Sequence, residues 1–223
     1  MITLPKRDIE NSTYSNFNGF DPSFFFKKIL PFRKALNEKG ILTCPFPYGY
    51  KLDNTDEKYG KKIFPMAPWK KGDSLNQIQL PHMKSPFNYI VKTGKCNGFL
   101  VIDYDFPKLD DGEIDGKEWL ESLFPKEHDF WKTKQVQSGS GGIHFYFKYD
   151  ERLKCGTTRC IYINGQKSKI SLDMRTDGNC VIGELYVNEK GVYQPINNTT
   201  FDDIKEVPEE LMNYLIKPKK ANI

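Results

Sequence analysis

The sequence predicts an α+β protein built on a mixed, mostly antiparallel sheet flanked by helices, and three observations carry that prediction. FLVIDYDF (99–106) begins with four apolar residues, the mark of a buried strand, and ends in two aspartates. GIHFYFKYD and KISLDMRTDG both alternate. Ile143, Phe145 and Phe147 oppose His144, Tyr146 and Lys148; Ile170, Leu172 and Met174 oppose Ser171, Asp173 and Arg175. Helical patterns lie before, between and after these strands without a regular strand–helix alternation, which favours α+β over a parallel α/β sheet.

The elements follow in order. Residues 1–20 are polar and read as a loose arm. Asp21-Pro22 is an N-cap followed by proline at the first helical position, and the helix SFFFKKILPFRKALNEKG stops at Gly40. Pro31 is expected to kink it. Residues 41–90 are rich in Pro, Gly and Lys and read as loops. After the Asp-x-Asp strand, DGKEWLESLF reads as a short helix. Asp115 and Glu118 form a capping box, and Trp119, Leu120, Leu123 and Phe124 turn inward. Strands resume at Val136, LYV precedes a turn at Gly191, Pro208 opens the helix PEELMNYLI, and KPKKANI is a basic tail. The division expected is an arm (1–20), a catalytic domain (21–216, with an N-terminal α/β lobe over 21–95 and a core over 96–216) and a tail (217–223).

Composition sets limits. The 223 residues suffice for one large domain or two compact lobes, and a net charge of +4 permits an anionic partner without demanding one. MITLPKRDIE lacks the apolar stretch of a signal peptide and no apolar run is long enough to span a membrane, so the expectation is an intracellular protein with no membrane partner. Five scattered cysteines are then reduced thiols.

Chemistry concentrates on three polar strand faces. The first offers Asp103 and Asp105, the second His144 after the SGSGG turn, the third Asp173 with Arg175. Three clustered carboxylates suit hard divalent cations, here Mg²⁺ or Mn²⁺, which would offset their mutual repulsion. Two such ions about 4 Å apart can activate a hydroxyl and stabilise a leaving phosphate oxygen. Main-chain N–H groups of the 138–142 turn could cradle phosphate, and His144 and Arg175 could hold a triphosphate tail. Each element alone has a plainer explanation: a surface turn, a structural histidine, a hairpin linker, a local ion pair.

Taken together, FLVIDYD, SGGIHFYF and SLDMRTDG resemble the catalytic core of the archaeo-eukaryotic primase superfamily, closest to the bifunctional primase–polymerase (prim-pol) domains of plasmids, phages and large DNA viruses. YIVKTGKCNG, GKKIFPMAPWK and GVYQPINN with VPEELMNYL extend the resemblance over most of residues 40–216. It implies an RRM-like sheet and template-directed nucleotidyl transfer, that is, DNA primase or DNA polymerase activity in replication. Asp103, Asp105 and Asp173 would ligate two Mg²⁺ or Mn²⁺ ions. Ser140, Gly141, Gly142, His144 and Arg175 would contact the incoming nucleoside triphosphate. The implied partners are a single-stranded DNA template, a primer and a replicative helicase, fused or separate. A virus of eukaryotes would place the protein in cytoplasm or nucleus. One departure is clear: many relatives continue the third motif into a Pro-Pro-Ser turn, whereas this chain runs GNCVIGEL.

Other readings were weighed against this one. Cys155, Cys160 and Cys180 lack a fourth zinc ligand, so zinc is not expected. DDGEIDGKEWLE has part of a calcium-loop spacing, but Pro107 and Leu109 stand where ligands are required. Trp69 with Lys70 and Lys71 is either a stacking surface for single-stranded nucleic acid or a tryptophan packed under a loop. The alternatives to nucleotidyl transfer are a metal-dependent phosphodiesterase or nuclease and a non-catalytic nucleic-acid-binding module.

Overall fold

The computed structural model of the protein describes residues 22–47, 87–105, 112–188 and 190–217. Asp21, Trp69, Lys70 and Lys71, the arm 1–20 and most of the tail lie outside them. The first helical stretch comprises α1 (Pro22–Phe24), a π-helical turn (Phe25–Ile29) and α2 (Leu30–Glu38). The kink expected at Pro31 takes the form of that π turn. Proline has no N–H to give its preceding turn, and just before it the Leu30 N–H reaches back five residues to the Phe25 carbonyl. At the other end Gly40 adopts φ +77°, its N–H donates to the Asn37 carbonyl, and the Ile41 N–H donates to the Leu36 carbonyl. Ile41 and Leu36 are both buried, which completes a Schellman closure.

Two sheets follow. The larger has five strands in the order β12 (Gln194–Pro195), β4 (Gln135–Gln137), β5 (Ile143–Lys148), β3 (Phe99–Tyr104) and β8 (Leu172–Arg175). The smaller is β1 (Thr43–Pro47), β2 (Phe87–Lys92) and β9 (Cys180–Ile182). Every strand pairing in both sheets is antiparallel. Two short hairpins complete the strands: β6 (Tyr162–Ile163) with β7 (Gln166–Lys167), and β10 (Val187–Asn188) with β11 (Gly191–Val192). Helices α3 (Gly116–Leu123) and α4 (Glu209–Leu215) finish an α+β architecture. No helix among the described residues is long and apolar enough to cross a membrane.

Strand alternation puts one core on each face of the five-stranded sheet. Leu100, Ile102, Tyr104, Ile143, Phe145, Phe147, Leu172 and Met174 pack beneath α3 and α4 with Leu120, Phe124 and Leu211. Asp115 caps α3, accepting from the Lys117 and Glu118 N–H groups at 2.7 and 3.0 Å, and also accepts from the Tyr104 hydroxyl. Phe99, Val101, Val136 and Tyr146, from the opposite face, join Tyr89, Val91 and Val181 of the smaller sheet and Phe25 and Ile29 of the first helix. The smaller sheet thus combines strands from both sides of residue 96, since β9 pairs with β2. A buried ion pair braces this second interior. Lys134 Nζ lies 2.7 Å from Glu184 and sits over the Phe201 ring, while the Tyr89 hydroxyl donates to the Glu184 carbonyl.

Candidate functional site

Register brings the candidate residues together. Asp103, on β3 between β5 and β8, is the direct partner of His144 on β5 and of Asp173 on β8. Direct partners in an antiparallel pair share a face, and Val136 continues the row on β4. Pro195 of β12 extends it to the sheet edge. Arg175 stands opposite Val101 on the same face, one step deeper. The row lies on the side that carries the smaller sheet, at the end of β3 where the strand leaves its packed interior.

An electrostatic network fills this row. Arg175 reaches both aspartates, with Nε 3.2 Å from Asp103 Oδ2 and Nη2 2.8 Å from Asp173 Oδ2. Burial weakens the Arg175 charge, but the two carboxylates outweigh it and hold the guanidinium above its ordinary value. His144 Nε2 lies 3.4 Å from Asp103 Oδ1. Its Nδ1 is buried and has no hydrogen-bond partner among the described residues. The ring of Tyr193 stands 5.8 Å from that of His144 between centroids, and burial, then the charges of Asp103 and Asp105, push its hydroxyl up to about 12. Asp105 lies just beyond the end of β3 and is exposed. Partial burial of its carboxyl first, then the negative charges of Asp103 and Asp173, raise it above its ordinary value.

The turn before β5 closes with the Ser138 N–H donating to the Gly142 carbonyl and the Gly141 N–H to the Ser138 carbonyl. Gly141 adopts φ +93°, a conformation that strongly favours glycine. Gly139 is demanded by packing: a Cβ there would lie 2.8 Å from the backbone of Lys190 and Gly191. Ser140 is exposed, with its hydroxyl 3.1 Å from that of Ser138. Because Tyr104 pairs with Ile143, the next rung puts Asp105 at the Gly142 end of this turn. The predicted carboxylates, His144, Arg175 and the 138–142 turn therefore gather at one end of the sheet.

Three contributors were not expected from the sequence: Arg159, Glu113 and Tyr193. Arg159 donates its main-chain N–H to Asp173 Oδ1 at 2.8 Å, and its guanidinium forms an ion pair with Glu113. It sits on the segment flanking β8 with φ +49°. The predicted cysteines do not gather. Cys160 belongs to the core beneath α3 and α4, Cys180 packs against the opposite core, and Cys155 is exposed.

Among the described residues no three His, Cys, Asp or Glu side chains stand in an arrangement set to hold a metal ion, and Arg175 spans Asp103 and Asp173. The donor chemistry nevertheless suits a hard cation. The charged ligands offered are carboxylate oxygens, and their like charges already raise Asp105. The positive charge that offsets two of them is a partly exposed side chain. Neither protein-family models nor curated proteins match the chain.

Proposed function

We propose that the protein is a nucleotidyltransferase of the prim-pol type, acting as a DNA primase or DNA polymerase on a single-stranded template. The observation that carries this reading is the in-register row His144–Asp103–Asp173 on three adjacent strands, with the glycine-rich turn entering the first of them. The row brings the three sequence motifs, with the first of them in the middle, to one face at one end of a sheet.

On this reading Asp103, Asp105 and Asp173 hold Mg²⁺ or Mn²⁺. Such ions, when bound, lower the pKa of a hydroxyl and offset charge on phosphate oxygens. The chain's own groups account for the rest. The turn Ser138–Gly142 receives the triphosphate through the Ser140 hydroxyl and the main-chain N–H of Gly142, while the Gly141 N–H, committed to the Ser138 carbonyl, holds the turn in shape. Arg175, freed from the carboxylates, follows the negative charge onto the phosphate oxygens. His144 Nε2 turns toward the same oxygens, while Tyr193 packs against its ring and fixes its plane. The 3′-hydroxyl of a primer, or of a first nucleotide, attacks the α-phosphorus. The hydroxyl proton passes to solvent as the new P–O bond forms, the bond from the α-phosphorus to the oxygen bridging to the β-phosphorus breaks, and pyrophosphate leaves with the electron pair.

The test is extension of a primer on a defined single-stranded template with Mg²⁺ or Mn²⁺, comparing wild type with Asp103→Ala/Asp105→Ala. Product lengthening in the wild type and its loss in the double variant is the expected result. Equal activity in both sinks the mechanism. Metal-dependent shortening of the strand without added triphosphate turns the same carboxylates to phosphodiester hydrolysis instead.

A further inference from the structure

The segment Thr157–Cys160 runs along the outer edge of β8. Thr157 exchanges two main-chain hydrogen bonds with Met174, and the Cys160 N–H donates to the Leu172 carbonyl. Thr158 and Arg159 therefore oppose the single residue Asp173, which is the geometry of a β-bulge. The bulge bends Arg159 into the left-handed region (φ +49°), a conformation that costs a side-chain-bearing residue energy. It turns the Arg159 N–H away from the strand and onto Asp173 Oδ1, at 2.8 Å.

The side chain of Arg159 goes elsewhere. Its Nε lies 2.5 Å from Glu113, whose side chain is 2% exposed, while its nearest approach to Asp173 is 3.9 Å. The guanidinium pairs closely with the buried carboxylate on one side and reaches the aspartate on the other only at the limit of ion-pair distance. Here Glu113 holds it. We propose that Glu113 is a positioning residue for the site: it restrains the Arg159 guanidinium and so keeps Asp173 Oδ1, already oriented by the bulge N–H, open to a divalent cation. Without Glu113 the side chain closes onto Asp173 and, with Arg175 on Oδ2, occupies the carboxylate from both sides. This rests on the proposed metal-binding role of Asp173.

The experiment measures Mn²⁺ binding to the full chain by calorimetric titration and by the electron-spin resonance of free Mn²⁺. It compares wild type, Glu113→Gln, Arg159→Ala and Glu113→Gln/Arg159→Ala. Glu113→Gln keeps the shape of the side chain but not its charge, and thermal unfolding confirms that each variant folds. The expected pattern is a loss of Mn²⁺ affinity of roughly fivefold to tenfold in Glu113→Gln, the scale of one rearranged, partly exposed ion pair. Arg159→Ala binds Mn²⁺ at least as tightly as wild type, because its main-chain N–H remains and one positive charge is gone. The double variant returns to the Arg159→Ala value. Wild-type affinity in Glu113→Gln, or a double variant as weak as Glu113→Gln, overturns the proposal. If Glu113→Gln fails to fold, Arg159→Lys decides: its shorter reach to Glu113 should weaken Mn²⁺ binding, and an unchanged affinity refutes the restraint. The broader reading fails separately. A wild type whose Mn²⁺ binding is unaffected by Asp103→Ala/Asp105→Ala has no metal site at these carboxylates, whatever Glu113 does.

Discussion

Arg175 is the countercharge to Asp103 and Asp173, and removing it exposes how much the site costs the fold. The two aspartates are direct cross-strand partners, which puts their Cβ atoms roughly 5 Å apart. Two unit charges at that distance repel by about 3 kcal/mol at an effective dielectric of about 20. The site is only partly buried, so solvent screening reduces the expected net loss in Arg175→Ala to about 1–2 kcal/mol. For a chain of this size that lowers the unfolding midpoint by roughly 2–8 °C. Saturating Mn²⁺ acts in the other direction. At one hundred times its dissociation constant a ligand stabilises the native state by about 2.7 kcal/mol. A cation that no longer competes with a guanidinium binds more tightly, so Mn²⁺ raises the midpoint of Arg175→Ala by more than that of wild type. The assay is scanning calorimetry of both proteins across a Mn²⁺ series, with Asp103→Asn/Arg175→Ala as control. The control lacks the repulsion and should lose most of the Mn²⁺ response. An Arg175→Ala protein as stable as wild type without metal, and indifferent to Mn²⁺, refutes the countercharge reasoning.

Two further expectations follow from the same strand. Ile102 is fully buried among the residues beneath α3 and α4, so Ile102→Ala should cost about 2–4 kcal/mol in urea unfolding while sparing turnover in the folded fraction; Asp103→Ala should do the reverse, lowering turnover at least about a hundredfold with little loss of stability. Asp105 has a carboxyl raised in the folded state, so its contribution to stability is present while it is protonated and declines as pH rises from the ordinary value of 3.8 through the raised one. Asp105→Asn should therefore be at least as stable as wild type at pH 7, lack that decline in a pH series of unfolding curves, and be inactive in extension. A destabilised Asp105→Asn would contradict the charge assignment.

What could be read from the sequence divides along physical lines. Strand β3 was legible from its run of four apolar residues, and β5 and β8 because alternation shows directly in residue order, and so was the sharing of one face by Asp103, His144 and Asp173. Caps were legible where one residue type decides them, as with Asp115 and Gly40. Strand β1 was not, since Pro45 and Pro47 argue for a loop; the structure puts them on an edge strand. Strand β9, three residues of CVI, had no pattern long enough to register. Without that smaller sheet the His144–Tyr146 face reads as polar and open, whereas Tyr146 is fully buried beneath it. Arg159 and Glu113 were illegible for a different reason. A bulge is an extra residue relative to a partner strand, and it exists only once the register between 157–160 and β8 is known.

The charge balance of the site carries a last expectation, about the number of ions the protein can hold alone. Asp103, Asp105, Asp173 and Glu113 bring four negative charges when ionised, and Arg159 and Arg175 bring two positive ones. Among these carboxylates and guanidiniums two negative charges remain, the complement of a single divalent cation. A second cation would enter a site with no uncompensated carboxylate, where desolvation is costly and nothing repays it. It must therefore arrive with its own negative charge, which the phosphate oxygens of a nucleoside triphosphate supply. Mn²⁺ titrated into the protein alone should saturate at one ion. A second should bind only when a non-hydrolysable triphosphate is present. Two ions bound at equal affinity without nucleotide would show that the guanidiniums do not neutralise the carboxylates, and the compensation inferred from the ion-pair geometry would be wrong.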